Sequence, residues 1–522
     1  MCSSDLEAPP NTPFPDLTEL PRVAGQTREQ DDTLDAVYYD TEVFDLARAG
    51  ITLRRRSGGG DGGWHLKIPQ ERPGVRSELR LPASAGAKST GGSDAPPREF
   101  AALLTARVRG RKLRPVARIS THRRRSTLVD VEDRSLAEIA LDAVTAESLG
   151  RDSGLTRWSE IEIELAEGVS AGEALLKAAD RQLRQEGLRR SSRPTKLHTA
   201  LAQSLDAVES SMHAAALADP ARASAAAPVL AYLRDRFEDL TTWDLAVRRD
   251  EYDSIHQMRV AARRLRATFQ VYGSLLQPDA TREIVSGLRW LGEILGRARD
   301  EEVLSERLSA AIGAVPVELV LGPVAARVTA HYAPRQAAAR RDALKAISSS
   351  RYVALLRGLE TLLERPPLSE YAEQHPAAVP ELAYRAHRRV RRRMRAALQI
   401  PEGPARDVAL HDVRKAAKQA RYAAEAAEYA HGKQARRSAR DYKSLQTILG
   451  DQHDAVIAAD ALRKLAIHAH IDGENAFTFG LLHQRQLDTA DRLALQVAPT
   501  WKRVGRRKRA AWMKRALRPV NA

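Results

Sequence analysis

One motif occurs twice in the C-terminal half of this 522-residue chain, and it limits the possible fold more than any other feature. In both copies a histidine is followed by cations three, seven and ten residues later, with two alanines before the second cation. At about 100° per residue, these four positions fall within an arc of roughly 80° on one helix. Each copy therefore predicts a helix with a cationic stripe about 15 Å long. The stripe residues are His256, Arg259, Arg263 and Arg266 in the first copy, and His411, Arg414, Lys418 and Arg421 in the second.

A second motif repeats at nearly the same offset. Leu-x-x-Ile-Leu-Gly occupies residues 291–296 and 445–450, and an aspartate, Asp300 or Asp454, follows four residues later. Two motifs that share one offset indicate the internal duplication of a helical unit. A single cationic helix face is usually a solvated surface, but two matched copies favour a binding role. The length of the stripe suits a long polyanion better than a small ligand.

The composition agrees with an anionic partner. The formal net charge is +16 and the isoelectric point is near 10.0, which favours nucleic acid, polyphosphate, phosphorylated metabolites or an acidic membrane surface. No apolar run approaches the ~18 residues that span a bilayer. The single cysteine, Cys2, excludes an internal disulfide and a cysteine metal site. Without a secretion signal at its start, the chain is predicted to be cytoplasmic.

Short alternating segments between residues 34 and 165 predict strands. Side chains two apart share a strand face, so Arg54 lies with Arg56, and Glu160 lies with Glu162 and Glu164. The other face is mostly apolar. Two arrangements remain open: an ordinary antiparallel sheet with its charges in solvent, or a barrel with charges inside and helices over its apolar outer face. Three carboxylates in a row repel one another unless a metal or cations neutralise them, which favours a site for a phosphate chain and a divalent metal.

Residues 16–200 resemble a CYTH domain of the triphosphate tunnel metalloenzyme group. The resemblance rests on residues 35–41, 50–56, 64–67 and 160–164 and on Lys196. It implies an eight-stranded antiparallel tunnel that binds triphosphate-containing substrates and hydrolyses or cyclises them with Mg²⁺ or Mn²⁺. The phosphate contacts that it implies are Arg54, Arg56, Lys67, Arg80, Arg118 and Lys196. The metal ligands that it implies are Glu138, Glu160 and Glu162, with Glu78, Asp142 and Glu164 as weaker candidates.

The sequence departs from this family at its start. The family's first strand carries Glu-x-Glu-x-Lys, and residues 1–33 do not supply that pattern. We expect residues 1–15 to form a tail, in which residues 1–6 are either a translated assembly sequence or ordinary disordered chain. The tunnel is then expected to be impaired by the loss of its first strand. The register of Arg123, Arg124 and Arg125 stays unassigned.

Residues 221–515 resemble the CHAD module, on the evidence of both repeats. The resemblance implies two pseudo-symmetric helical bundles whose basic surface or channel binds inorganic polyphosphate. The eight stripe residues would bind it, and Arg297, Arg299 and His387 are weaker candidates. The fusion of CYTH and CHAD domains is a recognised bacterial arrangement.

The predicted fold class is thus a multidomain α+β chain, with an N-terminal antiparallel β tunnel and a C-terminal all-α pair of bundles. We expect a tunnel domain at residues 16–205, a linker at 206–227 and a helical domain at 228–515. The leading function is polyphosphate binding in the cytoplasm, in association with polyphosphate granules. The alternative is a metal-dependent triphosphatase acting on tripolyphosphate, thiamine triphosphate or nucleoside triphosphate. Nucleic acid is a weaker alternative, because only 5% of the residues are aromatic.

Overall fold

The computed structural model describes residues 3–70, 75–88, 95–150, 153–166, 168–169, 172–191, 193, 195–218, 224–506 and 510–515. The chain divides into two compact units, Met1–Ala215 and Ala216–Ala522. Residues 202–218 are helical, so much of the segment expected to be a linker is regular structure.

The first unit is built on an antiparallel sheet in which ten strands are described. Their order is β10-β1-β9-β8-β7-β3-β4-β5-β6, and β2 pairs with β7. Two strands, β2 and β10, have only two residues, so the eight longer strands match the expected number. The strands are β1 Ser3–Ala8, β2 Gly25–Gln26, β3 Gln30–Asp40, β4 Thr52–Ser57, β5 Gly63–Pro69, β6 Arg76–Leu81, β7 Arg114–Val129, β8 Ser135–Ser148, β9 Leu155–Leu165 and β10 Arg189–Arg190.

The turn between β4 and β5 requires glycine. Gly58 has a φ of +82°, and a Cβ at this position would lie 2.2 Å from the carbonyl oxygen of Thr33. No side chain fits there, because that distance is far below van der Waals contact. The turn is therefore held close against β3.

Helices cover the apolar face of the sheet. One core joins β8 and β9 to α4, where Leu175, Leu176 and Leu183 are buried. Another joins β3, β7 and β8 to α5 and α6 through Leu197 and Leu205. The charged face lies on the opposite side of the sheet. This is the arrangement expected of a barrel with its charges inside and helices over its apolar outer face. The helices are α1 Asp45–Arg48, α2 Arg98–Leu103, α3 Thr105–Val108, α4 Gly172–Gln185, α5 Lys196–Ala200 and α6 Ala202–Ala218.

The second unit is helical, and its described helices follow the duplication. The two motifs of the first copy lie on α8 and α9. Those of the second copy lie on the two parts of α14, which meet at Gly432 with φ 49° and ψ −129°. The helices are α7 Ala227–Arg248, α8 Ser254–Tyr272, α9 Pro278–Gly313, α10 Val324–Ile347, α11 Ser350–Glu364, α12 Glu370–Gln374, α13 Ala378–Ala397, α14 Pro404–Ile471, α15 Phe477–Val504 and α16 Ala511–Arg515.

The described helices are less apolar than helices that span a membrane. Among the described residues, we find no helix with the length and apolar character needed to cross one.

Candidate functional site

The charged face of the sheet surrounds a cavity of about 450 Å³. Cations and carboxylates both line it, and the strands β3 to β9 all contribute. The cations are Arg54, Arg56, Lys67, Arg76, Arg80, Arg123, Arg125, Arg193 and Lys196. The acidic residues are Asp32, Asp61, Glu78, Glu138, Glu160, Glu162 and Glu164. Five of the six phosphate contacts implied by the resemblance therefore share one cavity.

The sixth, Arg118, lies elsewhere. Ile119 and Thr121 line the cavity, so the even-numbered Arg118 is on the opposite face of β7, where it is exposed. Its position does not support a role in the cavity.

Glu160 and Glu162 of the cavity wall meet the fully buried Asp142 behind them, and we call these three residues the carboxylate trio. One oxygen from each lies within 4.8 Å of the others. Lys196 Nζ is 2.9 Å from Asp142 Oδ2 and 2.5 Å from an oxygen of each glutamate. Arg123 donates two hydrogen bonds to Asp142, of 2.8 and 2.7 Å, and also contacts Glu162. Three negative charges are thus held by two positive ones.

The electrostatics of the trio follow from this pairing. Burial alone would lower the pKa of Lys196, but Glu162, Asp142 and Glu160 raise it well above its usual value. Burial would likewise raise the pKa of Glu162, but Lys196 and Arg123 hold it well below its usual value. The low pKa keeps Glu162 ionised, and the three carboxyl groups together offer the hard oxygen ligands that Mg²⁺ and Mn²⁺ prefer.

The remaining predicted metal ligands lie apart from the trio. Glu138 and Glu164 are cross-strand partners on β8 and β9, and Glu138 is 3.3 Å from Arg125. Asp142 joins the trio because the register places it directly opposite Glu160. Glu78, across the cavity on β6, is instead surrounded by cations, with Arg80 at 2.7 Å.

Two features of the cavity were not predicted. β7 runs unbroken from Arg114 to Val129, so odd-numbered positions share one face, and this parity assigns Arg123 and Arg125 to the cavity. The sequence alone left that choice open because the two halves of β7 looked like separate strands.

The second feature is the strand at the N-terminus. Residues 3–8, expected to belong to a tail, form β1 between β9 and β10. Glu7 pairs with Glu160, Asp5 pairs with Glu162, and Leu6 is fully buried in the core. The expectation that the first strand is lost is therefore wrong. Its carboxylates at positions 5 and 7 keep the spacing of two, and Pro9 stands where the family pattern has lysine.

In the helical unit, the two stripes converge on what we call the cation cluster: Arg259, Arg263, Arg414 and Lys418. Burial, and then the charges of Arg414, Arg263 and Arg259, lower the pKa of Lys418 to about 7. The charge of Arg414 also lowers the pKa of Arg259, so these equivalent arginines of the two repeats lie close enough to interact. The duplicated motifs therefore form one site.

The second motif holds the stripe arginines in place. Arg259 is 3.1 Å from Asp300, and Arg414 is 3.6 Å from Asp454. A Cβ built on Gly296 would lie 3.7 Å from Arg259 Nε, and one on Gly450 would lie 3.7 Å from Arg414 Nε. An alanine would just fit, and a longer side chain would displace the guanidinium. This explains why the two motifs repeat together.

The cation cluster has an excess of positive charge. Among the described residues, no carboxylate lies within ion-pair distance of Arg263 or Lys418, and Arg263 donates instead to Tyr422 Oη at 3.1 Å. Beyond the cluster, the stripes differ. Arg421 is held by Glu425 at 2.8 Å, whereas we find no such partner for Arg266 in the described chain.

The stripe histidines are also equivalent in their surroundings. The Nδ1 atoms of His256 and His411 are both buried, and neither has a hydrogen-bond partner within the described part of the chain. Burial and the neighbouring cations lower the pKa of each imidazole. Such atoms are able to bond a phosphate oxygen when protonated.

The three weaker candidates lie outside the cluster. His387 is buried and bonds the Tyr442 hydroxyl at 2.6 Å, and burial lowers its pKa to about 4. Arg299 is paired with Glu302 at 3.2 Å, and Arg297 is exposed on α9. A core hydrogen bond accounts for His387 without a ligand.

Comparison with known proteins agrees with this division. Residues 9–198 match the model of the CYTH domain, and residues 231–463 match that of the CHAD domain. The chain belongs to the CYTH–CHAD family. The uncharacterized protein Rv2226 from Mycobacterium tuberculosis is 35% identical over 515 residues, which cover 97% of this chain and 96% of the relative.

Solved structures resemble parts of the CYTH–CHAD chain. PptA from Streptomyces chartreusis is 24% identical with a TM-score of 0.45, covering 53% of this chain and 98% of its own. The CHAD domain from the plant Ricinus communis is 23% identical with a TM-score of 0.35, covering 56% of this chain and 92% of its own.

Proposed function

We propose that the helical unit binds inorganic polyphosphate through the cation cluster. The observation that carries this proposal is the convergence of four cations, two of them without a carboxylate partner among the described residues. Like charges brought together in a partly buried place are costly unless an anion neutralises them. CHAD and CYTH domains bind phosphate polyanions, which agrees with this assignment.

A linear phosphate chain suits the site better than a compact anion. The stripes extend about 15 Å along their helices, which offers several phosphates a cation each. Arginine stays charged, and its planar guanidinium matches phosphate oxygens in pairs. Binding is therefore expected to weaken steeply with salt, by analogy with nucleic-acid backbones.

Titration with polyphosphate tests the proposal. The double substitution Arg263→Gln and Lys418→Gln is expected to weaken binding by at least about 100-fold, since each charge-assisted contact contributes roughly 1.5–3 kcal/mol. The control is Lys345→Gln, which removes an exposed charge on α10. Equal affinity of the double variant and the control would contradict the proposal. Competition between polyphosphate and RNA at one salt concentration decides whether nucleic acid is the preferred ligand.

A second function is favoured by the carboxylate trio. We infer that the cavity binds a triphosphate group and hydrolyses it with Mg²⁺ or Mn²⁺. Asp142, Glu160 and Glu162 would hold the metal, which when bound would supply positive charge to the reacting phosphate. For this to happen, Lys196 Nζ must leave the carboxylates, and it would then be available to a phosphate oxygen.

Phosphate release from tripolyphosphate, thiamine triphosphate and nucleoside triphosphate measures this activity. Release is expected to require the metal and to fall at least about 100-fold in Glu160→Gln. The control Glu132→Gln changes an exposed carboxylate outside the cavity. If Glu160→Gln retained full activity, the trio would not be the metal site. Imaging a tagged chain tests the cytoplasmic location and the association with polyphosphate granules.

A further inference from the structure

His65 on β5 is buried beneath the cationic wall of the cavity. It is 1% exposed, and in the strand register it lies opposite Arg54 on β4 and Arg80 on β6. Its neighbours Trp64 and Leu66 face the apolar side of the sheet. His65 is not among the described residues that line the cavity, so any effect on a ligand must pass through other side chains.

Both ring nitrogens of His65 face hydrogen-bond acceptors. Nδ1 is 2.9 Å from Glu78 Oε1, and Nε2 is 2.9 Å from the carbonyl oxygen of Asp61. A neutral imidazole has one N–H group and one lone pair, so it would satisfy only one of these contacts. The carboxyl of Glu78 is ionised: burial would raise its pKa, but His65, Lys67 and Arg80 hold it well below its usual value. Two N–H groups on the imidazole satisfy this geometry.

The two groups that His65 joins hold three of the expected phosphate contacts. Glu78 accepts a hydrogen bond from Arg80 at 2.7 Å and lies 3.9 Å from Lys67 Nζ. The Asp61 carboxylate is 3.1 Å from Arg56 and 3.8 Å from Arg80. Asp61 belongs to the glycine-rich turn between β4 and β5, whose residues 59–61 line the cavity.

We propose that His65 is a positioning residue of the cavity. Through its two ring nitrogens it ties Glu78 on β6 to the β4–β5 turn, and it thereby fixes Arg56, Lys67 and Arg80 in the directions that a phosphate chain requires. This proposal rests on the triphosphate-binding function inferred above. In this proposal, Glu78 orients the neighbouring cations and does not bind a metal.

Three variants of the full chain separate positioning from general loss of stability. His65→Phe keeps a ring in the strand and removes both hydrogen bonds. His65→Gln keeps one donor. Ile68→Val loosens the apolar side of the same strand and touches none of these cations. Tripolyphosphate is the probe, and calorimetry gives its Kd while phosphate release gives KM and kcat.

We expect His65→Phe to weaken tripolyphosphate binding by at least about tenfold, with partial recovery in His65→Gln and little change in Ile68→Val. The loss should appear in Kd and KM more than in kcat. An affinity of His65→Phe equal to that of Ile68→Val would overturn the proposal.

A second readout does not depend on the ligand. Nuclear magnetic resonance of protein labelled at histidine and arginine should show two protected imidazole N–H protons that disappear in His65→Phe, with altered side-chain signals from Arg56 and Arg80. A single N–H proton, or unaltered arginine signals, would overturn the positioning role. The wild-type chain could give these signals and still fail to bind tripolyphosphate. That result would overturn the proposed triphosphate-binding function. The positioning role would be overturned with it, because the cations held through His65 would then contact no triphosphate.

Discussion

The affinity of the helical unit for polyphosphate should fall as the pH rises above 7, because of Lys418. Burial and the charges of Arg414, Arg263 and Arg259 lower the pKa of Lys418 to about 7. A bound phosphate chain brings negative charge to the cluster and raises that pKa again. Below pH 7 the free lysine is already charged, so binding takes up no proton at Lys418 there. Above pH 7 the lysine must first be protonated, and this cost grows with pH.

The size of the effect follows from proton linkage. Above the pKa of the free lysine, each pH unit weakens binding by a factor of about ten, or roughly 1.4 kcal/mol, until the pKa of the bound state is reached. Between about pH 6 and about pH 8 the expected loss is therefore about tenfold. Stripe histidines add a slope of the same sign at lower pH, since burial and the neighbouring cations lower their pKa values.

Lys418→Arg is the matched control, because an arginine stays charged throughout this range. Calorimetric titrations of wild type and variant in two buffers with different heats of ionisation give both Kd and the number of protons taken up. The wild type should take up about half a proton more than Lys418→Arg near pH 7, and its Kd should rise more steeply above that pH. Identical pH profiles for the two proteins would refute the reasoning.

Three further outcomes are expected. Gly296→Ala should bind as wild type does and gain up to about 1 kcal/mol in stability, whereas Gly296→Leu should displace Arg259 and weaken polyphosphate binding; urea denaturation and titration measure the two effects. Glu425→Gln should release Arg421 and tighten binding, and an unchanged Kd would mean that the path of the ligand ends before that arginine. Arg123→Met should lower the free energy of unfolding by about 3 kcal/mol or more, since it leaves buried carboxylates under-compensated, while the same change at the partly exposed Arg124, which pairs with Glu29, should cost less than about 1 kcal/mol.

The helices of the C-terminal half could be predicted from the sequence because their motifs occur twice. A repeated stripe and a repeated glycine motif indicated both the helices and the residues that meet, although they stand 155 positions apart. The contact between Arg259 and Gly296 was not predictable, since it depends on how α8 packs on α9. His387 illustrates the limit: its place in an arginine-rich helix favoured a ligand, and only packing reveals its hydrogen bond to Tyr442.

The sequence predicts which residues of a tunnel strand share a face, but it does not predict how neighbouring strands are aligned with each other. Period-2 patterns place Glu160 and Glu162 on one face, yet the choice of Asp142 over Glu138 as their partner depends on how β8 is aligned with β9. Arg118 was assigned to the cavity by resemblance, and strand parity places it outside. β1 was missed because six residues with little β-branched character gain their strand conformation from the pairing partners on either side.

Equivalent residues of the two repeats come together in the cation cluster, and this affects which ligands the cluster suits. Equivalent residues from two copies of a repeat that come together in one place are the arrangement expected of a local two-fold axis. A site of that symmetry presents the same chemistry to a ligand and to the same ligand turned end for end. Inorganic polyphosphate has no chemical direction, so both orientations bind alike, whereas an RNA strand has distinct 5′ and 3′ ends. The proposed polyphosphate ligand would therefore fit the duplicated site in either direction.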